Sequence, residues 1–282
     1  MPLQNRGVPL AYLPMRLLAL TLIFVTATMP FGFTQTIDVK PKASATPAKP
    51  VVASAQDLYR PALLGSGPNA LINRIDSNDL MAKGQKDALI MFTCTVRTTG
   101  EVVWSATYRG TPDSKALEDE LRKELLTAKF IPAIYNKVPV DAIFYGTATF
   151  SVVDGRPRLR IFANQEPEEL KKESDFIGPQ PFFGRESQFT GWHYPSKQDS
   201  PLEINGAVEL LLSVTDKGFP NKMSVVSEEP PFVGFADAAM YDLGKARFIP
   251  AFRDGKPVAC TVHLPVYFKH RDEVFNARII NE

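Results

Sequence analysis

The chain has 282 residues, 44% of them apolar, and a formal net charge of +1. That composition suffices for buried cores, and a near-neutral balance without a basic stripe or charged tail argues against nucleic acid or a strongly charged partner. The length fits one or two domains.

The first segment has targeting character. Arg6 and Arg16 precede an apolar run of 13 residues, Leu17 to Met29, which Pro30 closes. A secretory signal core is roughly 7–15 residues long and a membrane span about 20. Residues 1–34 therefore read as a signal peptide or, uncleaved, as a signal anchor. No Cys lies near this segment, which argues against lipid attachment there. Residues 35–56 follow as a spacer rich in Pro, Ala and Lys. They hold too few large apolar side chains to offset their ordering entropy, and Pro41, Pro47 and Pro50 favour an extended spacer. Its role as a leader or as a tether stays open.

Beyond the spacer, residues 95–140 and 213–258 align at a constant shift of 118 without a gap. Val96, Gly100, Pro112, Asp119, Leu125, Ala128, Phe130-Ile131-Pro132-Ala133 and Pro139-Val140 all recur at that shift. A fixed period in a chain of this length marks a repeated supersecondary unit, so two domains are expected.

Within each copy the pattern predicts strand, strand, helix, strand. Ile90, Phe92, Cys94 and Val96 alternate on one face of the first strand, as do Val208, Leu210, Leu212 and Val214 over 207–214 in the second copy. Thr98-Thr99-Gly100 and Asp216-Lys217-Gly218 carry hairpin-turn chemistry, because Gly accepts the positive φ such turns need. Second strands are predicted over 102–108 and 223–227. The helices follow, lined by Leu117, Leu121, Leu125 and Ala128 and by Phe235, Ala239, Leu243 and Ala246. Asp113 or Ser114 is the expected cap of the first helix. Phe130 and Phe248 should plug the gap between helix and sheet, and Pro132 and Pro250 must end the helix. Asn136-Lys137 and Asp254-Gly255 predict a turn into the last strand, which Pro139 and Pro257 begin. The two units should superpose over 88–152 and 206–270.

Residues 194–268 resemble the C-terminal domain of TonB, the energy transducer for outer-membrane receptors. Tyr194-Pro195, Ile204-Asn205-Gly206-Ala207-Val208, Val214, Gly218, Phe235-Ala236-Asp237-Ala238-Ala239 and Arg247-Phe248-Ile249-Pro250-Ala251 carry the resemblance, followed by Gly255-Lys256-Pro257-Val258. The first copy is a degenerate relative. It lacks the Tyr-Pro, has Ala88 where Gly206 sits, and has Lys137-Val138 in place of Gly255-Lys256. The expected fold is α+β, with two tandem TonB-C-like units, each an antiparallel sheet packed on one helix in the order β-β-α-β. The expected domains are a first repeat over 57–155, an aromatic connector over 156–192, a second repeat over 193–273 and a tail over 274–282. Phe130, Pro132, Phe248, Pro250, Gly255 and Pro257 are the structural signature.

The resemblance implies a non-enzymatic protein-binding module of the Gram-negative periplasm, related to TonB-dependent transport. Secretion through the signal peptide is the first placement, anchoring in the inner membrane facing the periplasm the alternative. The runner-up function is an envelope scaffold that kept the fold without energy transduction. The expected partner is a periplasmic or outer-membrane protein; a homodimer stays open. In the family, the edge of the last strand accepts an extended receptor segment by β-augmentation. Here that strand is 259–268, and nothing later in the chain is evidently available to pair with it. Thr261, His263, Pro265 and Tyr267 are the candidate partner-binding residues, with Pro265 removing one donor from the edge.

No other constellation carries chemistry. His193, His263 and His270 lack further ligands at a convincing spacing, so no metal or cofactor is expected. No nucleophile elbow, P-loop or dinucleotide fingerprint appears, so no enzyme is expected. Glu118, Asp119 and Glu120 read as a solvated helix face. Cys94 and Cys260 are the only cysteines. An oxidising compartment allows a disulfide, but alternation puts each on the core face of a different repeat, which favours free thiols. Phe176, Phe182, Phe183, Phe189 and Trp192 make the connector aromatic. They are expected to pack against the outer apolar face of the first repeat (Leu89, Met91, Ile143, Tyr145) or at the interface between the repeats, burying Trp192. A small-ligand pocket lined by Phe182, Phe183 and Trp192 is the other reading.

Overall fold

The computed structural model describes residues 58–195 and 204–269. The targeting segment, the whole spacer, His270 and the tail lie outside the described residues. The two described stretches belong to one unit, residues 52–282. Helices and antiparallel strands are mixed, as α+β requires.

The chain enters on a two-residue strand, β1 (Tyr59–Arg60), and two short helices, α1 (Leu71–Arg74) and α2 (Ser77–Ala82). A hairpin follows, β2 (Ala88–Val96) and β3 (Val102–Gly110), then helix α3 (Lys115–Leu125). Strands β4 (Ala133–Tyr135) and β5 (Val138–Val153) form a second hairpin, turned by Asn136 and Lys137 at positive φ. Leu117, Leu121 and Leu125 of α3 are fully buried beneath β2, which contributes Phe92, Cys94 and Val96.

The expected cap of α3 is corrected. The Ser114 side chain makes no cap hydrogen bond, and Asp113 sits at φ 64°. Buried Gln85 takes over: its Oε1 accepts from Leu117 N–H at 2.8 Å while its Nε2 donates to the Asp113 carbonyl at 2.9 Å. A helix N–H needs an acceptor but not a local one.

Residues 156–192, expected as a connector, carry regular structure. β6 (Arg156–Phe162) pairs antiparallel with residues 147–153 of β5. Helix α4 (Pro167–Lys172) follows, and then β7 (Gln180–Phe183), which pairs with residues 141–142 of β5. The strand path β1-β4-β5-β2-β3 thus continues sideways from β5 through β6 and β7.

The later stretch has a matching order of elements. β8 (Gly206–Val214), β9 (Pro220–Glu229) and helix α5 (Phe235–Lys245) are followed by β10 (Arg247–Ile249), β11 (Ala251–Arg253), β12 (Lys256–Val258) and β13 (Cys260–Phe268). β8 begins at Gly206 where β2 begins at Ala88, the same shift of 118 that the sequence carries. β13, β8 and β9 form one sheet in that order, and β11 pairs with β12 through a turn at Asp254 and Gly255.

Two corners repeat in detail. Phe130 N–H donates to the Gly100 carbonyl at 2.9 Å, and Phe248 N–H to the Gly218 carbonyl at 2.9 Å. Gly100 and Gly218 have φ +79° and +78°. A Cβ on Gly100 would lie 2.2 Å from the Phe130 carbonyl oxygen, and one on Gly218 would lie 1.8 Å from that of Phe248. Only glycine fits a left-handed turn pressed this closely onto a neighbouring backbone. Phe130 is 5% exposed and Phe248 0%. Pro132 is half-buried, Pro250 buried and Pro257 exposed.

The leading segments also correspond. Ile131 exchanges backbone hydrogen bonds with Leu63, and Arg60 pairs with Ile134. Later, Ile249 pairs with Gln180, and Ile177 exchanges hydrogen bonds with Phe252 at 3.0 Å. Segment 176–183 therefore serves the second corner as segment 59–63 serves the first. Its Gln180 also joins the two, since its side chain accepts from Ala62 N–H at 2.7 Å and donates to the Ala62 carbonyl at 3.1 Å.

The apolar outer face of the first sheet is covered as expected. Ile143 and Tyr145 are buried with Phe183, Phe189 and the residues under α5. Trp192 differs: it is half-buried, edge-on to Phe189 at 4.9 Å between ring centroids.

Candidate functional site

The outer edge of β13 is the candidate site, and its register against β8 is continuous from Cys260↔Val214 to Phe268↔Gly206. Even-numbered side chains, Val262, Leu264, Val266 and Phe268, point into the core. Thr261, His263, Pro265 and Tyr267 alternate onto the opposite face, which is exposed at Thr261 and His263 and half-buried at Pro265 and Tyr267. The structure brings all four candidate residues onto one face of one strand. Among the described residues no strand pairs with β13 on the side away from β8.

Each of the four has a specific surrounding. The Thr261 hydroxyl meets that of Ser213 at 2.8 Å. The Tyr267 ring tilts against Tyr108 at 5.5 Å, and its hydroxyl donates to the Tyr108 carbonyl at 3.4 Å. Pro265 lines a cleft of about 160 Å³ with Met91, Tyr108, Pro167 and the Arg109–Glu209 pair. His263 is the exception to a bare edge. Its backbone N–H donates to Glu166 Oε1 at 2.6 Å, and its Nδ1 lies 3.3 Å from Glu166 Oε2.

A buried turn holds Glu166 there. Asn164 donates from Nδ2 to the Phe176 carbonyl at 2.9 Å, and its own carbonyl accepts from Thr147 at 2.8 Å. Gln165 donates from Nε2 to the carbonyls of Phe92 and Gly146 at 3.0 and 3.1 Å. Phe176 packs on Ala251 and Val262 beside the start of β13.

Under this edge lies the module that carries it. Val208, Leu210, Leu212 and Val214 meet Phe235, Ala239 and Leu243 of α5, with Phe248 at the corner. Tyr194 closes the entry: its hydroxyl donates to the Ile204 carbonyl and accepts from Ile204 N–H, and its ring stands edge-on to Phe235. The expected role of the prolines is corrected: α3 ends at Leu125 and α5 at Lys245, ahead of Pro132 and Pro250, and Pro250 follows strand β10. The order of elements, the Phe-Ile-Pro-Ala corner and the tyrosine strap all fall inside one stretch. Residues 192–270 match the family described as Gram-negative bacterial TonB protein C-terminal. Among curated proteins, none matches this sequence. The match relates the segment to TonB, to the Gram-negative cell envelope and to TonB-dependent transport. No helix among the described residues is long and apolar enough to cross a membrane.

The TonB C-terminal match begins after the aromatic segment that pairs with its corner, so β7 lies outside the matched residues. The aromatic residues divide between two cores: Phe182 belongs to the one with Phe92 and Phe144, and Phe183 to the one under α5, where Trp192 packs. Sequence reading also missed the polar ties. His193 N–H donates to Asp242 at 2.7 Å, and its Nδ1 lies 2.6 Å from the same buried carboxylate on α5. His193 and His263 thus each meet a carboxylate far away in sequence, and residue spacing carries no signal of either.

Cys94 and Cys260 are both free, Cys94 buried and Cys260 half-buried. Burial raises both thiols. That of Cys260 is pushed up to about 12, with the Glu166 carboxylate adding to the effect of burial. Thiols this far above neutrality are poor nucleophiles. The Glu209 carboxylate beside Arg109 raises that guanidinium, and burial raises Tyr267.

Proposed function

We propose that the chain is a non-enzymatic protein-binding module of the Gram-negative periplasm, related to TonB-dependent transport. It takes an extended segment of an outer-membrane or periplasmic protein as an added antiparallel strand on β13. In this reading residues 57–155 are a degenerate first copy of the unit that the family match covers, and the N-terminal segment directs secretion or anchors the chain. Thr261, His263, Pro265 and Tyr267 line the contact.

One observation carries the reading. Residues 147–150 of β5 lie 118 positions before residues 265–268 of β13, and on β5 they are already paired with β6. The first copy therefore holds, within its own chain, an antiparallel strand at the place where the second copy has none among the described residues. Edge N–H and C=O groups left without a strand are what β-augmentation uses. By alternation, residues 263, 265 and 267 direct their backbone groups outward. Pro265 has no donor and His263 is bonded to Glu166, which leaves Tyr267 as the outward N–H at this end of the strand and Thr261 as the one at its start.

A photo-crosslinker at position 267 in the full chain, expressed in cells, should retrieve an outer-membrane or periplasmic protein. The same group at Val226, on the opposite edge strand β9, should not. Tyr267→Pro removes the outward donor without touching a bond to β8, and should abolish capture with the fold intact. Recovery of nothing from 267, with the protein folded, leaves the second reading, an envelope scaffold without transduction. The β6 strand favours that reading for the first copy, whose edge is filled.

A further inference from the structure

We infer that Glu166 is an internal plug of the β13 edge, a carboxylate standing where the carbonyl of a captured strand would bind. The inference rests on the strand-addition reading above. A strand added along the middle of β13 needs the outward N–H of His263, because the next outward position, Pro265, has no N–H to give. That N–H is taken by Glu166 Oε1 at 2.6 Å, and the second carboxylate oxygen faces His263 Nδ1 at 3.3 Å. The carboxylate is not a wandering surface group. Asn164 is 2% exposed and Gln165 7%, and their side chains fix the turn to Phe176, Phe92 and Gly146. Asn164 Oδ1 also accepts from Glu166 N–H at 3.2 Å.

The turn has a second relation to the edge. It is the direct continuation of β6, the strand that fills the corresponding edge of the first copy. One stretch of chain, 156–166, thus occupies both edges: as a strand on β5 and through one side chain on β13. The difference in strength is what makes the second one displaceable. β6 pairs with seven residues of β5, from Thr147 to Val153, whereas the hydrogen bonds of the Glu166 carboxylate to β13 go to one residue, His263. A partner that offers a carbonyl to His263 and uses the N–H of Tyr267 gains more bonds than it removes. The cleft lined by Met91, Tyr108, Pro167 and Pro265 lies beside the plug, with room for one of its large apolar side chains.

The test uses the full chain and a synthetic peptide of residues 154–163, Asp-Gly-Arg-Pro-Arg-Leu-Arg-Ile-Phe-Ala, as the probe strand. Amide hydrogen exchange resolved by NMR reads the plug without any partner. In Glu166→Ala the His263 amide should exchange at least about tenfold faster than in the native protein, while Val262 and Leu264, bonded to β8, stay unchanged. Glu166→Gln keeps an acceptor oxygen and should stay close to native, which separates the plug from a loss of fold. Fluorescence titration should then give Glu166→Ala an affinity for the peptide about tenfold or more above that of the native protein. Unchanged exchange at His263 overturns the plug. So does equal peptide binding by both proteins, which leaves strand addition intact. A freed His263 amide with no peptide binding by either protein overturns strand addition at this edge, and the plug's role with it.

Discussion

Strands β5 and β13, which lie 118 residues apart in the two matching runs of elements, begin alike and end differently. Each follows a helix, a Phe-Ile-Pro-Ala corner and a tight turn, and each pairs on its inner side with the first strand of its own hairpin. Both keep a short outer hairpin before this point, β4 on the start of β5 and β11 on β12, but β5 goes on to carry β7 and β6 on its outer side. β13 carries one carboxylate. The inner side is constrained by packing, because a one-residue slip would turn every core side chain to the other face. The outer side is free to differ: strands cover it on β5, and among the described residues none covers it on β13. On the proposed reading, a structural copy and a binding copy of one module have separated in this way.

The largest expected effects test whether the two corners are equivalent. Phe130→Ala and Phe248→Ala should each cost about 3–5 kcal/mol, as core truncations do. The two costs should agree within about 1 kcal/mol in urea unfolding of the full chain. An unchanged midpoint for either variant would break the equivalence at once. Next come the turn glycines. Gly100→Ala and Gly218→Ala place a side chain at positive φ against a backbone carbonyl, a strain of about 1–3 kcal/mol each. Gly218→Ala should cost more, since its Cβ would approach to 1.8 Å against 2.2 Å for Gly100. Equal or negligible losses would say that the turns relax independently of the Phe corner.

Much of this was legible before the structure, for a reason that also marks the limit. Alternation of Ile90, Phe92, Cys94 and Val96, helical spacing of Leu117, Leu121 and Leu125, and glycine at a hairpin turn are all local signals, and the structure places these residues accordingly. What stayed hidden depends on contacts between distant segments. Gln85 caps α3 from thirty-two residues away, Gln180 satisfies Ala62, Asp242 holds His193, and Glu166 reaches His263. Each is a polar side chain in a loop or helix whose partner is set by tertiary placement. β6 and β7 were hidden differently. Arg156, Arg158 and Arg160 alternate with Pro157, Leu159 and Ile161, a strand pattern that the neighbouring aromatics and the lack of a match in the repeat made easy to pass over.

The smallest expected effect concerns the one departure of the first copy that the structure explains in full. Gly206 sits where the first copy has Ala88, and Phe235 sits where it has Leu117. A Cβ on Gly206 would stand 2.2 Å from the Phe235 ring, so the larger helix residue demands the missing side chain. Ala88 and the smaller Leu117 belong to one buried core, Ala88 at 7% exposure. Strand and helix positions have therefore changed together, keeping the volume between them filled. Gly206→Ala should cost about 1–3 kcal/mol by overpacking. Phe235→Leu alone should cost about 1 kcal/mol or somewhat more, because the smaller side chain leaves space unfilled beneath α5. The double variant should be more stable than the sum of the two single losses predicts, with a coupling of about 0.5–3 kcal/mol, because it rebuilds in the second copy the pair that the first already uses. Urea unfolding of the four proteins measures it. Simple additivity would show that the sheet edge shifts to admit the new methyl, and that the Gly-Phe and Ala-Leu pairs are unrelated solutions.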